Sequence, residues 1–201
     1  MHDLVSIVLA SGSPRRNELL RSLGLDVTVM PSEVSEGERP GLSPRALAAF
    51  YAAAKADAVF ARVSAEMVVA ADTVVDLDGR GLGKPAGSDD ARAMLRALAG
   101  REHLVHTAYS VRSPQGCLDG MGSTRVRFAA LSDDTIETYI AGGEPFDKAG
   151  GYGVQGRGAA LVERIDGDFY TVMGFPLGDF IRRLPELALQ LPRARPIAVP
   201  V

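Results

Sequence analysis

The chain has 201 residues, of which 46% are hydrophobic and 23% charged, and its formal net charge is −3. That length suits one large domain or two small lobes with ample core, and the charge excludes the global basic field of a nucleic-acid binder, so any anion site must be local. A single cysteine, Cys117, excludes an internal disulfide, and no apolar run approaches the roughly 18 residues of a membrane span, so a cytoplasmic protein with no nucleic-acid or membrane partner is expected.

Residues 4–10, "LVSIVLA", are a short apolar run rich in β-branched residues and are expected as a buried strand. No Lys or Arg precedes that run, so no signal peptide is expected. A helix over 14–24 follows, with Ser13 as N-cap, Pro14 at the first helical position and Gly24 as the stop. Residues 25–44 open as a strand and pass into an acidic, proline-punctuated loop. An alanine-rich helix over 44–63 and a second buried strand with a following turn over 66–81 come next. Ser88 reads as the N-cap of a helix over 88–100, with acids in its first turn and Gly100 at its end. Residues 103–131 read as a β-hairpin turning at Ser113-Pro-Gln-Gly116, and 132–143 as another capped helix. Residues 158–174 look strand-like, and 175–191 close the domain as helix. Strands and helices alternate around one hairpin, which argues for an α/β protein with a mixed sheet. One domain over 1–191 is expected, with an irregular, proline-rich tail over 192–201.

Four features break these patterns. Arg15 and Arg16 occupy the first turn of a helix whose macrodipole repels cations, at a cost of about 0.3–1 kcal/mol each. Two guanidinium groups there make sense if an anion sits against them, with Ser11 and Ser13 adding hydroxyls and Gly12 letting the backbone approach. Asp72 interrupts the apolar run "VVAADTVVDL", and an unpaired carboxylate buried there would cost several kcal/mol. It must meet a cation, a metal or hydrogen-bond donors, and Lys84 follows in the Gly-rich turn "GLGKP". The stretch "EPFDKAGGYGVQGRG" over 144–158 spells G-x-G-x-x-G but lacks the preceding strand and following helix of a dinucleotide fingerprint. Its Asp147, Lys148 and Gln155 suit readout of a ligand's head group instead. The acidic loop "PSEVSEGE" carries Glu33, Glu36 and Glu38; one of these, with Asp72, would complete a Mg²⁺ or Mn²⁺ site beside bound phosphate. His2, His103 and His106 show no metal-ligand or catalytic spacing.

Five blocks in order, "LASGSPRRNELL", "ADTVV", "GKP" with "DDARAML", "FDKAGGYGVQG" and "IDGDFYTVMGFPL", resemble the Maf family of nucleoside triphosphate pyrophosphatases over roughly residues 5–184. The resemblance implies an α/β fold of Maf/inosine triphosphatase-like type, with a mixed twisted sheet, flanking helices and two lobes around a cleft, often as a homodimer. It implies hydrolysis of a nucleoside triphosphate between its α and β phosphates with a divalent cation. Position by position, it casts Asp72 as the proton acceptor for the attacking water, and Arg15, Arg16, Lys55 and Lys84 as phosphate-binding cations. Glu36 is cast as the partner of Asp72 at the metal. Family members commonly carry Asp just before that Glu; here it is Ser35, which leaves Glu33 as an alternative ligand. Arg15, Thr73 and Gln155 resemble the dTTP/UTP branch rather than the 7-methyl-GTP branch. Thr73 follows Asp72 directly, so a regular strand puts it on the opposite face, and it shares the site only if the backbone bends there. A 7-methyl-GTP or broad-range hydrolase, or a nucleotide-binding regulator of septum formation, are the competing readings.

Overall fold

A computed structural model describes residues 5–37, 39–63 and 66–187. The expected tail over 192–201 lies outside them, as do His2 and Glu38. Seven strands form one mixed sheet: β1 (Ser6–Leu9), β2 (Asp26–Val29), β3 (Val68–Leu77), β4 (Arg80–Leu82), β5 (Glu102–Ser113), β6 (Gly116–Phe128) and β7 (Val162–Asp166). Their order is β2-β1-β3-β5-β6-β7, with β4 also paired to β3. β1 runs parallel to β2 and β3, and every pairing beyond β3 is antiparallel. Flanking the sheet are α1 (Pro14–Ser22), α2 (Pro44–Phe60), α3 (Ser88–Leu98), α4 (Asp133–Ala141), α5 (Phe169–Met173) and α6 (Leu177–Arg183).

Side chains alternate along β3, and the two faces meet different partners. Val69 and Ala71 join a cluster with Leu19 and Leu20 of α1 and Phe180 of α6. Val75 and Leu77, further along the same face, join a second cluster with Leu95 of α3 and Ile136 of α4. Thr73 stands between the two. On the opposite face α2 covers Val68 and Ala70 with Ala56 and Val59, and covers Val74 with Ala48 and Ala52. Asp72 stands between those two groups in turn. The two expected lobes are therefore two cores on one sheet, parted where β3 turns polar.

Three expectations need correction. Ser88 is the first helical residue of α3, not its cap: Gly87 holds the N-cap position, and the Asp90 carboxylate accepts from Ala86 N at 2.9 Å. The strand expected across 158–174 covers only Val162–Asp166, because Gly167 has φ +130° and Asp168 then caps α5 by accepting from Tyr170 N and Thr171 N. The final helix is broken after Arg183 into a 3-10 turn at Leu184–Leu187, where Pro185 has no N–H to continue it. The hairpin turns as expected, with Ser113 opposite Gly116.

Gly120 on β6 lies opposite Tyr109 on β5, whose ring is fully buried beside Phe175 and Phe180. A Cβ at position 120 would sit 2.2 Å from the ring's Cζ, so only glycine leaves the tyrosine its place. Gly120→Ala is expected to destabilise the fold by about 1–3 kcal/mol through overpacking. Urea unfolding measures this, and an unchanged midpoint would show that the ring has room to move.

Candidate active site

The chain passes from β1 to β2 through α1 on one face of the sheet, and from β2 to β3 through α2 on the other. The point between β1 and β3 is thus a topological switch, where ligands bind beyond the carboxyl ends of parallel strands. A cavity of about 980 Å³ opens there. Ser11, Ser13, Arg15, Arg16, Glu36, Lys55, Asp72, Thr73, Lys84 and Gln155 all line it. Among the described residues, every one that the sequence nominated for the site, apart from the alternative ligand Glu33, is gathered here. Glu33 instead lines a separate hollow with Val34, Ala58, Val59 and Arg62.

Asp72 and Thr73 reach this cavity without any break in the register of the strand. β3 stays in register with β5 from Val68 to Asp76. β1, however, pairs with β3 only at Val68 and Val69, and β4 takes up the same edge only from Val75. Among the described residues no strand pairs with 70–74 on that side, and the cavity wraps around the bare edge to meet both faces.

The cation that Asp72 meets is Lys55 of α2, with Nζ 2.6 Å from Oδ1, rather than Lys84. Lys55 Nζ also lies 2.5 Å from Glu36 Oε1, and Lys84 stands 3.9 Å from the other oxygen of Glu36. Burial pushes the Asp72 carboxyl above its ordinary value, against the opposing charges of Lys55 and Arg16. Burial acts on Glu36 in the same sense, but there Lys55, Lys84 and Arg16 prevail and hold the carboxyl below the ordinary range. Among the described residues no three His, Cys, Asp or Glu side chains gather as a metal cage. The Glu36–Asp72 pair does suit Mg²⁺ or Mn²⁺, hard ions that commonly take one or two carboxylates and complete their shell with substrate phosphates and water.

Arg16 explains half of the puzzle at the start of α1. Its Nε donates to Gly174 O at 2.9 Å, its Nη1 to Ser11 Oγ at 3.0 Å and its Nη2 to Thr73 Oγ1 at 3.0 Å. The guanidinium is thereby fixed at the cavity wall, with two of its five N–H donors still free for an anion. Arg15 is held more loosely, 3.9 Å from Asp147.

Sequence reasoning missed three supports. Tyr51 OH donates to Gly37 O and accepts from Gly37 N, both at 2.8 Å, and so pins the loop that carries Glu36. Tyr51 and Lys55 are four apart on α2, a spacing that puts both on one face and was the available signal. Gly150 N donates to Gly83 O at 2.9 Å, tying the glycine-rich segment to the turn bearing Lys84. Thr107 joins Thr73 across the sheet, and no local pattern marks it. A Ser123–His106–Asp76 line of contacts at 2.8 and 3.3 Å crosses three strands, but none of the three residues lines the cavity.

A family model described as Maf-like protein matches residues 6–187. A dTTP/UTP pyrophosphatase of Thermus thermophilus is 50% identical over 85% of this chain and 89% of its own. One of Pyrococcus furiosus is 46% identical over 93% of this chain and 97% of its own. Among solved structures, a nucleoside-triphosphatase/dITP/XTP pyrophosphatase of Mycobacterium abscessus matches with a TM-score of 0.41 and 20% identity, covering 63% of this chain and 75% of that one.

Tyr152, on the cavity wall, is backed by His103, whose Nε2 lies 2.7 Å from the tyrosine OH. His103 Nδ1 is buried without a partner, the one such side-chain atom among the described residues. Burial pushes the imidazole pKa from 6.5 down to about 4. The unfolded chain therefore binds a proton below pH 6.5 that the fold refuses until about pH 4, so stability falls as pH drops through that window. Replacing His103 by Asn is expected to flatten this part of the profile. Urea midpoints taken at intervals from pH 7 to 4 would show it, and an unchanged slope would mean that His103 does not titrate there.

Proposed function

This chain belongs to the Maf family, and from that premise we propose that it is a nucleoside triphosphate pyrophosphatase acting on dTTP and UTP. The observation that carries the reading is the buried Asp72 carboxylate, held by Lys55 on a cavity wall that also presents Arg15, Arg16 and Lys84. A base placed beside several phosphate-binding cations suits attack of water on phosphorus, and mere nucleotide binding has no use for it.

The triphosphate lies at the positive end of the α1 dipole, with Arg15, Arg16 and Lys84 meeting its oxygens. Ser11 Oγ already accepts from Ser13 N and Arg16 Nη1, so its hydroxyl hydrogen is left to donate to a phosphate oxygen. Asp72 takes a proton from water as the water oxygen bonds to the α phosphorus. The bond from that phosphorus to the α–β bridging oxygen breaks, and pyrophosphate departs from the monophosphate. Burial, by raising the affinity of Asp72 for a proton, suits it to this role. A Mg²⁺ or Mn²⁺ held by Glu36 and Asp72 would neutralise phosphate charge and polarise the phosphoryl oxygens. Gln155, whose amide offers both a donor and an acceptor, matches the alternating edge of uracil or thymine.

Asp72→Asn is expected to fold, since Lys55 keeps Glu36 as a counter-ion, and to lose at least about a hundredfold in kcat. Pyrophosphate release from UTP, with Mg²⁺ and with EDTA, measures this. Turnover near wild type in the folded variant would overturn the role of Asp72, and undiminished turnover in EDTA would overturn the metal.

The base reading makes a separate prediction. Wild type should favour dTTP and UTP over ATP and 7-methyl-GTP in kcat/KM. Gln155→Ala should narrow that ranking about tenfold or more while tripolyphosphate inhibits as before. A strong wild-type preference for 7-methyl-GTP would reassign the base and leave the chemistry standing.

A further inference from the structure

Two hydroxyls behind Arg16, those of Thr107 and Thr73, have their hydrogens assigned by geometry alone. Thr107, fully buried on β5 and outside the cavity lining, has its Oγ1 2.7 Å from Thr171 O. A carbonyl can only accept, so the single hydroxyl hydrogen of Thr107 points at Thr171. Thr107 Oγ1 is also 2.9 Å from Thr73 Oγ1, and with its own hydrogen engaged it must accept there. Thr73 therefore gives its only hydrogen to Thr107, and its oxygen is turned to accept from Arg16 Nη2 at 3.0 Å. The result is a directed line, Arg16 to Thr73 to Thr107 to Thr171 O. The Arg16 Nε bond to Gly174 O closes the far end, because Gly174 N donates to that same Thr171 O at 3.1 Å.

We infer that Thr107 is a positioning residue for the reaction: by fixing the direction of the Thr73 hydroxyl, it gives the Arg16 guanidinium an oriented acceptor and so holds it in register with the triphosphate. The inference rests on the pyrophosphatase reading. Thr107 is not a catalytic residue, since it does not line the cavity, and acts only through Thr73 and Arg16. Without the Thr107 hydroxyl, Thr171 O keeps its bond from Gly174 N and the α5 turn stays capped by Asp168. The Thr73 hydroxyl, however, loses the acceptor for its hydrogen, and its oxygen no longer presents a fixed lone pair to Arg16. Misplacing one phosphate clamp slightly is enough to slow a reaction that depends on aligned geometry.

The test compares Thr107→Val, which keeps the shape and removes the hydroxyl, with Thr107→Ser, which keeps the hydroxyl and removes a methyl. Thr107→Val should lose roughly ten- to a hundredfold in kcat/KM for UTP and bind tripolyphosphate more weakly, and Thr107→Ser should recover most of both. A purely structural role would move the thermal midpoint in both variants and leave the kinetics of the folded enzyme alone. Thr73→Val breaks the same line one link earlier, so Thr73→Val with Thr107→Val should be no slower than Thr73→Val alone. Wild-type kcat/KM in folded Thr107→Val, a Ser variant as slow as the Val variant, or losses that multiply in the double variant would overturn the inference. Should Thr107→Val not fold, Thr73→Ser against Thr73→Val reads the same line, and equal activities there would overturn it. Absence of pyrophosphate release in wild type would instead strike the underlying function, while tripolyphosphate binding by calorimetry would still report on Thr107.

Discussion

A carboxylate inside a β-sheet must be paired or neutral, and the pairing of Asp72 with Lys55 meets that constraint. For Lys55 to reach Asp72 at 2.6 Å, α2 has to lie close against β3. Ala48, Ala52 and Ala56, all fully buried, provide that closeness: small residues four apart let the helix backbone approach the strand. The alanine-rich character of α2 is thus tied to the charge it carries. The same ammonium draws in Glu36, and Tyr51 on the same helix pins the backbone beside that glutamate. One ion pair therefore organises a helix, a strand and an otherwise unstructured acidic loop.

The second organising element is the interruption along one edge of β3. Where β1 has ended and β4 has not begun, the strand has a neighbour on one side only. Adjacent residues on a strand point to opposite faces, which ordinarily keeps them from serving one ligand. Here the cavity wraps the unpaired edge, so the ion pair on one face and the Arg16–Thr73 contact on the other face it together. Both faces lose their apolar character at this level: Asp72 parts the clusters beneath α2, and Thr73 parts those beneath α1 and α3. The polar belt costs hydrophobic burial at the centre of the sheet, where strands bury best, and pairing within the belt offsets that cost. Cores on either side are closely packed, as the Tyr109–Phe175–Phe180 group shows in one and the Phe128–Tyr152 pair in the other.

Much of this was legible in the chain itself. The alternation of strands and helices, the hairpin turn at Ser113–Gly116 and the caps at Ser13 and Ser132 follow from short-range rules, and the structure agrees. Asp72 and the Arg15–Arg16 pair were visible because each breaks a local preference. Where elements were misjudged, at Ser88, across 158–174 and beyond Arg183, the deciding events were single hydrogen bonds or one missing N–H, below the resolution of periodicity. Glu33 and Glu36 could not be told apart by sequence pattern, because they differ in which hollow they line and not in chemistry.

Tertiary structure alone decided who meets whom. By local pattern a lysine in an alanine-rich helix is only a solvated residue; the resemblance cast Lys55 as a phosphate-binding cation, and the fold sets it against Asp72 and Glu36 instead. Thr107 and Gly174 carry no local signal at all. They matter because strand register puts Thr107 opposite Thr73, and because a left-handed turn at Gly174 (φ +112°) brings its carbonyl to Arg16. The sequence by itself determined which positions were anomalous, since propensity and burial costs act on each residue where it stands. Which anomalies answer one another depended on register, on the end of β1 and on the reach of α2, because hydrogen bonds and ion pairs form between groups that are distant in the chain and only a few ångströms apart in space.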